Sequence, residues 1–264
     1  MADGPTVAIG VDVGGSGIKA APVEVATGRL LAERVRVPTP QPATPEACVK
    51  TIGRLVARMA KAAGAPADAP VGVGVPSVVI DGVTQSAANI DQSWIGFPAE
   101  AAIAKATKRP VTVVNDADAA GVAEMRFGAG RDRMGTVILL TLGTGVGSAL
   151  FHDGRLVPNL ELGHMEIRGK DAEKRSAAVA RTVRGLSWKA WAQDLDEHLR
   201  LVHKLFSPTL FILGGGVSKN ADKFIPRLTV PVPVIPAELR NDAGIVGAAI
   251  FAAERAGLDI TSAI

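Results

Sequence analysis

The sequence predicts paired α/β domains built on one plan. Three observations carry that expectation. A glycine-rich signature occurs twice, as TVAIGVDVGGSGIKA at residues 6–20 and as TVILLTLGTGVGSAL at residues 136–150, about half the chain apart. Each copy runs from a short apolar stretch through a tight glycine turn and back to apolar residues. The order strand, hairpin, helix, strand then repeats in the two halves. The chain has 264 residues and is 47% hydrophobic, enough for two modest domains with real cores.

In the first half, residues 6–13 read as a buried strand entering the Gly14-Gly15-Ser16-Gly17 turn, and residues 18–25 as its hairpin partner. Residues 30–37 read as a third strand. Thr44 is placed to cap a helix from Glu46 to Ala63, with Pro45 in its first turn and Gly64 at its end. Ile52, Leu55, Val56 and Met59 fall on one face of it. Residues 71–75 and 111–114 read as strands, 98–108 and 117–127 as helices, and 77–98 as an irregular segment of the kind that carries binding groups.

In the second half, a strand over 134–142 opens a new unit, and His152-Asp153-Gly154 closes a further hairpin. Residues 175–206 read mostly as helix, broken near Gly185. Residues 209–213 form a strand ending at Gly214-Gly215-Gly216. The proline-dense stretch 226–236 is loop or edge strand. An apolar helix follows Asp242. The expected division is 1–114, completed by a last helix at 243–258, and 115–242.

Composition narrows the class. Cys48 is the only cysteine, which excludes an internal disulfide framework and a cysteine-rich zinc site. No apolar run reaches the ~20 residues of a membrane span, and the start lacks a signal-like pattern, so a cytoplasmic protein is expected. The net charge of +3 is too mild to indicate nucleic acid, yet it suits a polyanionic substrate.

The residues that can carry chemistry sit at strand ends. Asp12 precedes the first glycine turn, where backbone N–H groups can cradle an anion. A carboxylate there repels phosphate unless a cation intervenes, so Asp12 reads either as a Mg2+ ligand or as a turn-stabilising group. Lys19 can neutralise phosphate. Thr141, Gly143, Thr144, Gly145 and Gly147 form the second cradle, with Leu142 where the first has Asp12. Neither turn fits GxxxxGK[ST] or GxGxxG. Asn115-Asp116 ends a β-branched strand, and a carboxylate there can deprotonate a hydroxyl. Asp118 reads alternatively as a cap of the following helix. Glu161, His164 and Glu166 in ELGHME can hydrogen-bond a polyol; their spacing is unlike HExxH. Trp188 and Trp191 read as helix packing. Together these features point to phosphoryl transfer.

The ordered set DVGGSGIK (12–19), NDADAAG (115–121), LGTGVG (142–147), ELGHM (161–165) and GGGVS (214–218) resembles the ROK sugar kinases over nearly the whole chain. The resemblance is strongest to their polyphosphate/ATP-dependent glucokinase and glucomannokinase branch. It implies a two-domain actin-like ATPase (ribonuclease H-like) fold with an interdomain active-site cleft. It implies that Asp116 is the base for the sugar 6-hydroxyl and that Asp12 positions Mg2+ and phosphate. Gly14, Gly15, Ser16, Gly17, Lys19, Thr144 and Gly145 would surround the transferred phosphate. Asn89, Asn115, Asp116, Glu161, His164 and Glu166 would bind glucose or mannose, and Gly214 and Gly215 would line the nucleotide region. ATP and inorganic polyphosphate are the implied donors, and a homodimer is expected. Many family members carry a cysteine-rich zinc motif after the histidine; here MEIRGKDAEKRSAAVARTVRG follows, so no structural zinc is expected. With the first strand at Thr6, the N-terminal helix-turn-helix of family repressors is not expected. A strictly ATP-dependent hexokinase and a noncatalytic sugar sensor are the competing readings.

Overall fold

The structure, a computed structural model, describes residues 6–87 and 90–260. It divides into two compact units: residues up to Ala123 together with the segment from Asp242 onward, and Glu124–Asn241.

The first unit is a mixed sheet with helices. Its elements are β1 (Val7–Gly14), β2 (Gly17–Glu24), β3 (Arg29–Leu30), β4 (Val35–Val37), α1 (Pro45–Ala63), β5 (Val71–Val75), β6 (Val79–Ile80), β7 (Val83–Thr84), α2 (Ala99–Thr107), β8 (Val111–Asn115), the start of α3 (Asp116–Phe127), and a C-terminal helix (Ala243–Arg255). The strand order is β3-β2-β1-β5-β8, with β4 also paired to β2. β1 runs antiparallel to β2 and parallel to β5, and β5 runs parallel to β8. All five residues of β5, VGVGV, are buried, as an interior parallel strand requires. The single strand expected over 30–37 is two short strands, because the LAER stretch leaves the sheet between two separate pairings with β2. The irregular segment contains the β6–β7 ribbon and a 3-10 turn, Gln92–Trp94.

Local signals fix α1. Thr44 accepts from the Ala47 N–H, Pro45 starts the helix, and Gly64 closes it in the left-handed region at φ 58°. Its Ile52, Leu55, Val56 and Met59 are buried. The C-terminal helix is apolar on nearly every side and buried from Ala243 to Ile250. Glycines let it sit directly on the sheet backbone. A Cβ at Gly72 would fall on the Ala248 carbonyl, one at Gly10 on the Ile245 carbonyl, and one at Gly247 on the Ala119 carbonyl.

The second unit repeats the hairpin-plus-parallel-strand plan. It contains β9 (Thr136–Leu142), β10 (Val146–His152), β11 (Arg155–Val157), β12 (Glu166–Ile167), β13 (Lys170–Asp171), α4 (Glu173–Ser176), α5 (Ala178–Val183), α6 (Trp188–Phe206), β14 (Leu210–Gly214) and β15 (Val234–Pro236). The main sheet runs β11-β10-β9-β14-β15. The helical stretch is three helices rather than one with a single break, and Gly185 at φ 61° sits in the gap before α6. Ser187 caps α6, whose Trp191, Leu195, Leu199 and Val202 pack with Ile138, Leu140, Phe211 and Leu213 of the sheet. Trp191 donates its indole N–H to the Ala177 carbonyl at 3.1 Å, and Trp188 stacks on Phe224 with centroids 6.0 Å apart. Both tryptophans are therefore packing residues. No described helix is long and apolar enough to cross a membrane.

Candidate active site

In the first unit, register assembles the site. Asp12 pairs with Gly74 across β1–β5, Gly74 pairs with Val114 across β5–β8, and Asp116 follows one residue after β8. The three parallel strands thus end at one sheet edge, the side where open α/β sheets bind ligands. Gly74 has no side chain to separate the two carboxylates; a Cβ there would lie 3.4 Å from the Asp116 Cα.

Asp12 is half-buried and accepts from Lys19 Nζ at 2.8 Å, its direct cross-strand partner. The start of the C-terminal helix lies against it, with a Cβ at Gly244 only 3.1 Å from its Cγ. That helix end favours a negative group. Gly14 and Gly17 pair across the hairpin, leaving Gly15-Ser16 as the turn. Thr39 donates to the Gly14 carbonyl at 2.5 Å, and Arg36 donates to the Ser16 carbonyl at 2.9 Å. Arg36 faces Lys19 in the β2–β4 register, so Asp12, Lys19 and Arg36 form one row across three strands. The sequence reading missed Arg36. Strand alternation alone could have found it, had the β2–β4 pairing been known.

Asn115 is buried and committed. Its Oδ1 accepts from the N–H groups of Ala117 at 2.8 Å and Asp118 at 3.1 Å, and its Nδ2 donates to the Ser77 carbonyl at 3.2 Å. Asn115, rather than Asp118, therefore caps α3. It fixes the peptide from which Asp116 projects. Asn89 lies outside the described residues.

In the second unit, the second glycine turn spans Gly143-Thr144-Gly145, closed by Gly143 N–H to Gly145 carbonyl at 3.0 Å. The Val179 N–H donates to the Gly143 carbonyl at 3.1 Å, which fastens α5 to the turn. Gly214 pairs with Thr141 at the parallel end of β9–β14. Gly215 takes φ 81°, and a Cβ there would collide with the Leu142 backbone. Thr144, Gly145, Gly214 and Gly215 thus share one edge.

Leu162–His164 is a 3-10 turn held from several sides. Ser148 donates to the Leu160 carbonyl at 2.6 Å and accepts from the Leu162 N–H at 2.9 Å. The buried His198 places Nε2 3.1 Å from the Leu162 carbonyl and Nδ1 2.9 Å from Ser176 Oγ. Burial pushes the His198 pKa down. His164 is exposed, with Nδ1 3.2 Å from Asp171 Oδ2 and Nε2 4.0 Å from Glu161 Oε2. Burial raises the Glu161 carboxyl above its ordinary value; the neighbouring His164 opposes this and Glu173 adds to it. One ligand atom each from His164, Asp171 and Glu173 lies within 4.8 Å of the others. Glu173 also accepts from the Val146 N–H at 3.1 Å, tying this cluster to the end of the glycine turn. Glu166 is exposed on β12, opposite Asp171 in register. Asp171 and Glu173 were not legible as site residues, because a tight ribbon, not helical spacing, returns them to His164.

The basic residues Arg168, Lys174 and Arg175 are engaged within the unit, with Glu197, Glu173 and Asp194 respectively.

Two mixed sheets, each with a glycine turn where its hairpin meets the parallel strands, define the two-lobed actin-like, ribonuclease H-like class. Residues 8–176 match the ROK family. The polyphosphate glucokinase of Mycobacterium tuberculosis strain H37Rv is 48% identical over 242 residues, covering 91% of this chain and 89% of that one. The crystal structure of inorganic polyphosphate/ATP-glucomannokinase from Arthrobacter sp. strain KM superposes with a TM-score of 0.92 at 52% identity, over 95% of this chain and 99% of that one. A ROK family glucokinase from Streptomyces griseus, in complex with glucose and AMPPNP, gives a TM-score of 0.81 at 27% identity, over 94% and 99%. The chain belongs to the ROK family.

Proposed function

We propose that this protein transfers the terminal phosphoryl group of inorganic polyphosphate or ATP to the 6-hydroxyl of glucose and of mannose. The observation that carries the reading is the sheet edge where Asp12 and Asp116 flank Gly74 beside a glycine turn. The similarity to polyphosphate glucokinase and glucomannokinase supports both the donors and the acceptors.

In this reading the sugar 6-oxygen attacks the terminal phosphorus and Asp116 takes its proton. The phosphorus–oxygen bond to the donor breaks, and ADP or a shortened polyphosphate leaves. Gly14, Gly15, Ser16, Gly17, Lys19, Thr144 and Gly145 hold the phosphate oxygens through backbone N–H groups, the Thr144 hydroxyl and the Lys19 ammonium. Gly214 and Gly215 leave backbone accessible to the nucleotide. Asn89, Asn115, Asp116, Glu161, His164 and Glu166 bind sugar hydroxyls, and Asn115 also fixes the start of α3. Glu173 joins the sugar-binding set through its place beside His164.

Asp12 suits Mg2+: it offers hard carboxylate oxygens at the sheet edge, next to the turn that would hold phosphate. When bound, the cation neutralises charge on the phosphoryl oxygens. Homodimerisation belongs to the same proposal, and light scattering of the purified protein checks it.

The test is Mg2+-dependent phosphorylation of glucose and mannose with ATP and, separately, with nucleotide-free polyphosphate, for the wild type and Asp116→Asn. The variant is expected to lose turnover by at least ~100-fold, the scale of a general base, while calorimetry still detects glucose. Near-normal turnover by the folded variant refutes the base assignment. Product with ATP alone removes polyphosphate from the reading. Glucose binding without product from either donor leaves a sugar sensor.

A further inference from the structure

The chain's single cysteine, Cys48, is buried in α1, so no thiolate holds the segment after His164. A two-stranded ribbon does so instead. Arg168 and Gly169 both take left-handed φ, 54° and 75°, which makes the two-residue turn that matches strand twist. Ile167 pairs with Lys170 and Glu166 with Asp171. The Ala172 N–H donates to the Met165 carbonyl at 2.8 Å, and Arg168 reaches Glu197 on α6 at 2.8 Å. The ribbon returns the Asp171 carboxylate to 3.2 Å from His164 Nδ1.

A neutral imidazole donates from one nitrogen and accepts at the other, and the partner of one nitrogen decides the role of the second. An ionised carboxylate only accepts, so Asp171 draws the proton to Nδ1. Nε2 is then left as an acceptor on the side of Glu161. We propose that Asp171 is a positioning residue that fixes the tautomer and ring orientation of His164, so that Nε2 accepts a hydrogen bond from a sugar hydroxyl. This rests on the function proposed above and adds a specificity determinant to it. His198 and Ser148 hold the turn's backbone, and Asp171 sets the side chain that the turn presents.

The experiment has two independent readouts on the purified full chain. The first is the nitrogen NMR signature of the His164 imidazole, assigned with His164→Gln. The wild type is expected to be protonated at Nδ1, and Asp171→Ala to shift the population toward the Nε2-protonated form. The second is kinetics. Asp171→Ala is expected to raise the glucose KM about 5- to 10-fold, the scale of one lost hydrogen bond, with the donor KM within about twofold of wild type. Asp171→Asn keeps an accepting oxygen and is expected to recover part of the loss, and it serves as the test variant if the alanine protein does not fold.

An Nε2-protonated wild type, an unchanged tautomer in both variants, or equal rises in sugar and donor KM overturns the proposal. So does a stoichiometric metal ion in the wild type that Asp171→Ala abolishes, since the cluster with Glu173 would then be a metal site. If the wild type phosphorylates no sugar, the proposed function fails, while the tautomer measurement still decides the role of Asp171.

Discussion

Replacing Gly72 by alanine tests how closely the C-terminal helix sits on the first sheet. In a central strand, alanine would ordinarily be the better residue by ~0.5–1 kcal/mol. At Gly72 the added methyl would occupy the Ala248 carbonyl, and backbone cannot rotate away as a side-chain tip can. The helix must move, and its apolar contacts with the sheet are loosened. Overpacking of this kind costs ~1–3 kcal/mol. Gly53, in the middle of α1, is the internal control: a Cβ there meets nothing nearer than the Ala106 carbonyl at 3.7 Å. Gly53→Ala is therefore expected to gain ~0.5–1 kcal/mol from helix propensity and the restricted unfolded chain. For a chain of this size, ~2–4 °C of Tm per kcal/mol separates the two. Gly72→Ala should melt ~2–12 °C lower than wild type and Gly53→Ala ~1–4 °C higher, read by circular dichroism. A Gly72→Ala protein as stable as wild type would refute the close-contact argument.

Three further outcomes are expected. Glu124 is fully buried and accepts from the N–H groups of Ala129, Glu238 and Leu239, so Glu124→Ala should cost ~1–3 kcal/mol for each N–H left unpaired, seen as a large drop in the urea midpoint of the second unit. His198 has a depressed folded pKa from burial, so its contribution to stability is complete above the ordinary histidine value of ~6.5 and declines as pH falls below it; urea titrations from pH 7 to 5 should show a shallower decline in His198→Gln than in wild type. Arg36→Ala should raise the donor KM ~5-fold or more, the scale of a lost charged hydrogen bond, with the glucose KM unchanged. An equal effect on both substrates would assign Arg36 to folding alone.

Elements with local punctuation were legible in the sequence. Thr44, Pro45 and Gly64 bracket α1 because capping depends on neighbours in the chain, and VGVGV reads as a strand because its valines are β-branched, although its complete burial does not follow from the sequence. The glycine turns were visible for the same reason. The rest depends on pairing that one strand cannot announce. The row Asp12, Lys19, Arg36 exists only once β4 pairs with β2 in a given register. The β12–β13 ribbon hinges on Arg168 at positive φ, where composition suggests no turn beyond Gly169. Asn115 lies in the family's motif and its Oδ1 accepts at the helix start; only three-dimensional hydrogen bonding reveals which of Asn115 and Asp118 is the cap.

The C-terminal helix has a consequence for how the molecule is made. The second unit is one uninterrupted stretch, Glu124–Asn241, whereas the first unit needs residues 243–255 to cover Gly10 and Gly72. During synthesis, which proceeds from the N-terminus, the first sheet emerges early but stays bare on that face until residues 243–255 are translated. The later-made unit is therefore the first that can close completely. A chain cut before Ala243 would display an uncovered glycine-lined sheet face, which makes this thirteen-residue helix the piece that completes the first unit.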